Sequence, residues 1–169
     1  MSEPGGREPF WDVVRRRHPD VDVVLLPPAG TTPPPPVGGE PVTAEEAHRV
    51  ADRLDDDFAT LWEGLFGTAP EASPVRWTGG LVPGTARPVR SQRSADVPLD
   101  LVGAARPSLA DLGWTTSEPP AGLPLLVAER AGQELQLTVH DGVARLEVRG
   151  TAVSIDAPTL RALRAEGRA

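Results

Sequence analysis

The sequence predicts an α+β fold in which a long amphipathic helix covers an antiparallel β-meander. Three observations carry that prediction. The first is a hairpin over residues 133–149. Glu134–His140 and Val143–Arg149 alternate apolar and polar residues on either side of Asp141-Gly142. Asp-Gly between two such arms signals a two-residue type I′ turn, which needs positive φ at both positions. The turn sets His140 opposite Val143, so Val139 meets Ala144, Leu137 meets Leu146 and Leu135 meets Val148 on one dry face. Thr138 with Arg145, Gln136 with Glu147 and Glu134 with Arg149 take the wet face. A slip of one residue would carry every apolar side chain into water, so turn and pattern agree on one register.

The second observation is the stretch Thr43–Phe66. Ala44, Ala47, Val50, Ala51, Leu54, Phe58, Leu61, Trp62, Leu65 and Phe66 fall on one arc when the chain turns 100° per residue. Thr43 and Glu46 form a capping box at its start and Gly67 supplies the stop. At 1.5 Å per residue such a helix is about 35 Å long, enough to span the dry face. The third observation is order. The strands of the C-terminal half follow one another without intervening helices, which favours antiparallel pairing.

The other elements follow in chain order. Residues 1–8 read as a disordered tail. Pro9–His18 reads as a short helix with Phe10, Val13 and Val14 on its apolar edge and Arg15-Arg16-Arg17 in its last turn. Val21–Leu26 reads as a buried strand. Residues 27–42 form a proline-rich loop in which Pro33–Pro36 favours polyproline II, a stiff connector able to dock on an aromatic groove. Residues 68–122 are expected to be a long irregular segment. Within it, Val75–Trp77 is a short strand ending at Gly79-Gly80, and Ser108–Leu112 is one helical turn beside Trp114. Leu123–Glu129 is a central strand, apolar on both faces, and Val153–Ile155 a short one. A last helix, Ala157–Glu166, starts at Asp156 with Pro158 in its first turn and stops at Gly167. One domain over residues 9–169 is expected.

Composition removes whole classes of chemistry. The 17 basic residues are all arginine, and cysteine, tyrosine, lysine and asparagine are absent. That bias is what a GC-rich bacterial genome produces. It leaves no Schiff-base lysine, no thiolate and no P-loop lysine. Net charge is −7, which disfavours a general nucleic-acid binder. No apolar run is long enough for a membrane helix and the start lacks a signal pattern, so a cytoplasmic location without membrane insertion is expected.

Asp55-Asp56-Asp57 invites a metal, but consecutive helical residues point about 100° apart and cannot converge on one ion. His48, Asp52 and Asp56 have better spacing, yet three ligand types on a polar helix face are common by chance. No metal and no cofactor are expected. Asp55 falls inside the apolar arc, between Trp62 and Phe66, and is expected to be partly buried and paired with an arginine of the middle segment. His18, His48 and His140 sit at a helix end, a helix flank and a hairpin tip, and none neighbours Gly-x-Ser-x-Gly or His-Glu-x-x-His.

These absences favour a non-enzymatic protein-interaction module: an adaptor, an assembly factor or a chaperone-like protein. A small-ligand or anion binder comes second and a hydrolase using Asp, His or Ser third. The candidate binding residues are Arg87, Arg90, Arg93, Trp77 and Trp114. In polyproline-II geometry the three-residue spacing of the arginines projects all three on one side, and Pro88 holds Arg87 extended. Tryptophan and arginine are enriched among interface anchors. Guanidinium groups in a row favour carboxylate or phosphate partners, with the protein's own acids, Asp55 among them, as the competing occupants.

Overall fold

The computed structural model describes Arg17, residues 39–117 and residues 125–167. The chain divides into two compact units, Met1–Thr32 and Pro33–Ala169. Every element below belongs to the second unit; the first contributes only Arg17, helical and exposed. The expectations for the tail, for the strand Val21–Leu26, for the proline run and, apart from Arg17, for the first helix lie outside the described residues.

The elements within the described part of the second unit are α1 (Ala44–Phe66), β1 (Arg76–Gly79), β2 (Thr85–Ser94), α2 (Leu101–Asp111), β3 (Thr115–Ser117), β4 (Leu125–Arg130), β5 (Gln133–His140), β6 (Val143–Arg149), β7 (Val153–Ser154) and α3 (Ala157–Glu166). The fold is α+β, as the sequence predicts. The seven strands form one antiparallel sheet in the order β1-β2-β6-β5-β4-β3, with β7 also beside β2. The β5–β6 hairpin is at its centre and has the predicted register, His140 opposite Val143 through Glu134 opposite Arg149. Asp141 and Gly142 both have positive φ, 49° and 73°.

The dry face is covered as its pattern requires. Leu54, Phe58, Leu61 and Trp62 of α1 pack with Leu101, Ala105 and Leu109 of α2, Trp114, and inward residues of β4, β5 and β6. A second cluster joins Ala47 and Ala51 of α1 to Trp77, Ala86, Ile155 and Leu163 of α3. Each fully buried leucine in these clusters contributes about 2–3 kcal/mol through removal of apolar surface from water. Both long caps form as read: Thr43 and Glu46 exchange hydrogen bonds, Gly67 ends α1 in the left-handed region, and Asp156 accepts from Thr159 N–H. The Thr43 N–H holds the Glu46 carboxyl below its ordinary value, and the Thr159 N–H does the same for Asp156. Depressed folded values mean that both caps act fully above the ordinary carboxylate range and weaken as pH falls through the lowered values.

The middle segment differs from expectation. The described part of it, residues 68–117, is not irregular: it holds β1, β2, α2 and β3. Alternation fails in β2 because both its faces carry polar residues, with Arg90, Gln92 and Ser94 turned inward opposite Val148, Leu146 and Ala144. The helical turn expected at Ser108–Leu112 is the end of an 11-residue helix. Pro107 obscures it, since proline inside a helix removes a hydrogen bond. Here Pro107 lies on the exposed side, opposite the buried stripe Leu101, Ala105 and Leu109, where water can satisfy the freed carbonyl.

Pro88 inside β2 needs its own explanation, because proline cannot donate to a sheet ladder. Its carbonyl accepts the Gly150 N–H at 2.8 Å, just past the end of β6. The approach is close: a Cβ at Gly150 would lie 2.7 Å from Pro88 Cγ. Gly150→Ala is therefore expected to destabilise by about 1–3 kcal/mol through overpacking, measured by urea denaturation. Pro88→Ala in the same chain should recover part of that loss; additive losses would place the strain elsewhere. The β4–β5 turn gives a second expectation. Ala131 and Gly132 have φ of 47° and 82°, the type I′ pattern with alanine in a left-handed position. Ala131→Asn should stabilise by about 0.5–1 kcal/mol, because asparagine tolerates that region, read as a raised melting temperature.

Candidate functional site

A sheet whose inner face is buried presents every second residue outward. Register gives this outer face as four rows. Thr78 stands beside Arg87. Next come Arg76, Val89, Arg149, Glu134, Glu129 and Thr115. The third row is Ser91, Glu147, Gln136, Val127 and Ser117, and the fourth is Arg93, Arg145, Thr138 and Leu125. Both apolar clusters lie on the inner side, so among the described residues no helix packs on these rows.

The charges on this face are not balanced. Arg76, Arg87, Arg93, Arg145 and Arg149 face Glu129, Glu134 and Glu147, a surplus of positive charge in a chain of net charge −7. Glu134 accepts from Arg87 Nη1 at 2.8 Å, and its other oxygen lies 3.9 Å from Arg149. Glu147 binds Arg145 at 2.6 Å and Arg149 at 2.8 Å. Three arginines are thus held by two carboxylates in a connected chain. Among the described residues Arg76 and Arg93 make no ion pair. A groove of about 430 Å³ runs between Arg76, Arg87, Arg145 and Arg149, with Leu81 on its rim, 95% exposed.

The expected arginine strip does not form. Residues 87–93 are β-strand, and a strand has period two, so a three-residue spacing alternates faces. Arg87 and Arg93 point outward. Arg90 points inward and is only 2% exposed. Its Nε donates to Asp55 Oδ1 at 2.8 Å, its Nη2 donates to the Glu71 carbonyl at 2.6 Å, and its guanidinium lies 4.7 Å from the Phe58 ring centre. The pairing of Asp55 with a middle-segment arginine is as the helical arc predicts. The burial is unequal: Arg90 is enclosed while the Asp55 side chain is 53% exposed.

Trp77 and Trp114 are not surface anchors. Trp77 is buried beside Ala47, Ala51 and Leu163. Trp114 is buried beneath Arg130, whose guanidinium stands 4.7 Å from the ring centre and pairs with Asp57 at 3.0 Å. Both sit at inward strand or turn positions that single-sequence periodicity leaves undecided. Missed were Arg76, Arg145, Arg149, Glu134 and Glu147 as one surface. The hairpin pattern already put the last four on its wet face; only the pairing of β2 with β6 joins them to Arg87 and Arg93.

Two of the three histidines, His48 and His140, lie among the described residues. His48 Nε2 meets Glu166 at 2.8 Å, linking α1 to α3, and exposed His140 meets Asp141 at 3.2 Å. Neither hydrogen-bonds a hydroxyl among the described residues. No group of three His, Asp or Glu there is placed to hold a metal ion. No helix among them is long and apolar enough to cross a membrane.

No protein-family model matches the chain, and no curated protein matches it. Among solved structures it is similar to one described as the "putative lipoprotein LppA from Mycobacterium tuberculosis", at 15% identity and a TM-score of 0.42, over 70% of this chain and 82% of that one. A likeness that remote says nothing about what this chain does.

The Arg90–Asp55 contact yields a stability expectation. Asp55→Ala leaves a buried guanidinium without its carboxylate, and the half-exposed acid tempers the loss to about 1–2 kcal/mol. Arg90→Ala should lose more, about 3 kcal/mol, because it also empties packed volume. Asp56→Ala, on the exposed side of α1, should stay within about 0.5 kcal/mol of the parent. Chemical denaturation of the three variants checks the order, and equal losses at Asp55 and Asp56 would remove the pairing from the account.

Proposed function

We propose that the protein is a non-enzymatic interaction module that holds an acidic stretch of another protein on the outer face of its sheet. One observation carries the reading: the surplus of arginine on a sheet face that no described helix covers, in a chain that is acidic overall. Guanidinium groups seek carboxylates with which they form two parallel hydrogen bonds. Glu134 and Glu147 pair with Arg87, Arg145 and Arg149 and hold them in place, which lowers the entropy lost when a partner docks. Arg76 and Arg93 supply the attraction left over. Charge matching of this kind speeds encounter and selects partners more than it adds raw affinity.

The reading is tested by charge reversal at the two arginines without an ion pair. Arg76→Glu with Arg93→Glu is expected to abolish recovery of a stoichiometric partner from native lysate while the melting temperature stays within about 2 °C of the parent, since exposed positions change stability little. Capture by the parent should weaken as salt rises, because exposed charges are screened over about 10 Å at 0.1 M ionic strength. Unchanged capture by the double variant would overturn the reading, as would turnover of a substrate that a single Asp, His or Ser substitution abolishes.

A further inference from the structure

The outer face is not uniform. Beyond the start of β1, three arginines gather at one place. Arg93 stands directly opposite Arg145 across the β2–β6 pair. Like charges in directly opposed positions of an antiparallel pair destabilise it. Arg145 is partly neutralised by Glu147; Arg93 has no ion pair among the described residues. Arg76, from β1, joins them in lining a second pocket, also of about 430 Å³, together with Gln92, the hydroxyl residues Ser73 and Ser91, and Glu71.

The wall of this pocket is built from the core side. The Glu71 N–H donates to Gln92 Oε1 at 3.0 Å, and the Glu71 carbonyl accepts from buried Arg90 at 2.6 Å. Two inward-facing residues of β2 therefore pin residue 71 from both its backbone groups. Ser73, two residues on, lines the pocket with the outward-facing Ser91 and Arg93. An arrangement that keeps like charges together and fixes a wall around them is complementary to an anion.

We propose that this pocket takes a phosphoryl group on a phosphorylated side chain of the partner protein. The inference rests on the reading that the outer face binds an acidic partner, and it names what distinguishes that partner. Three arginines against Glu71 leave a surplus of two positive charges in the lining, one of them, on Arg145, shared with Glu147. A carboxylate brings one negative charge and two oxygens. A phosphoryl group brings a charge of about −2 at neutral pH and three acceptor oxygens. It can receive two or three guanidiniums at once, with the serine hydroxyls completing its hydrogen bonds.

The test is titration calorimetry of the full chain with three probes: Asp-Asp-phosphoserine-Asp-Asp, Asp-Asp-Glu-Asp-Asp and inorganic phosphate. The phosphopeptide should bind at least tenfold more tightly than either of the other two. Arg93→Ala and Arg145→Ala should each remove that margin over the glutamate peptide, while Arg53→Ala on the solvent side of α1 should keep it. Equal affinity for the two peptides would overturn the phosphoryl site and leave an acidic-partner face standing. Inorganic phosphate binding as tightly as the phosphopeptide would assign the pocket to the free ion, and absence of binding by all three probes would eliminate it. The underlying reading stands or falls separately, with capture by the Arg76/Arg93 charge-reversed chain.

Discussion

A guanidinium cannot be buried alone, and the arrangement around Arg90 follows from that constraint. Taking a charge out of water costs several kcal/mol unless a counter-ion and hydrogen-bond acceptors replace the water. Asp55 supplies the counter-ion, the Glu71 carbonyl an acceptor and Phe58 a ring face. Two of these lie on α1, so the helix cannot rotate or slide on the sheet without exposing or orphaning the charge. Asp55 keeps about half its side chain in water. The pair therefore bridges core and solvent, which reduces the desolvation that a wholly enclosed pair would suffer.

Arg90 also decides what the rest of β2 can present. With side-chain period two, an inward Arg90 obliges Arg87, Val89, Ser91 and Arg93 to face out. A slip by one residue would expose Pro88 and Arg90 and bury Arg87 and Arg93 with no acid near them. Gly150 reinforces this register, since only a residue without Cβ lets the chain pass so close to the Pro88 ring. The composition of the outer face is thus a consequence of inner-face packing, and the arginines that face solvent are placed by residues that do not.

Among the described residues, α1 and the outer sheet face differ in sign. α1 turns Glu45, Glu46, Asp52, Asp55, Asp56 and Glu63 to solvent on one side, while the outer sheet face gathers five arginines against three glutamates on the other. An acidic chain can present a basic face only by segregation. Neighbouring acids hold three of those arginines in a bound network without cancelling the surplus.

Sequence alone determined those features in which local chemistry has one solution. Asp141-Gly142 and its alternating arms admit one register, and the β5–β6 pairing follows it residue for residue. Thr43, Glu46, Gly67 and the 100° arc define α1, and Asp156 with Pro158 defines α3. The position of Asp55 on an apolar arc demanded a cation and received one. Tertiary structure alone decided the middle of the chain. β2 has no hydrophobic alternation, because its inward positions are filled by Arg90, Gln92 and Pro88, and their burial depends on partners 19 to 62 residues away, Glu71, Asp55 and Gly150. Whether residues 87–93 were polyproline II or strand could not be read locally, yet that choice sets whether the three arginines share a face. Pairing with β6 made them strand, sent Arg90 into the core, and joined Arg87 and Arg93 to the wet face of a hairpin more than 40 residues further along the chain.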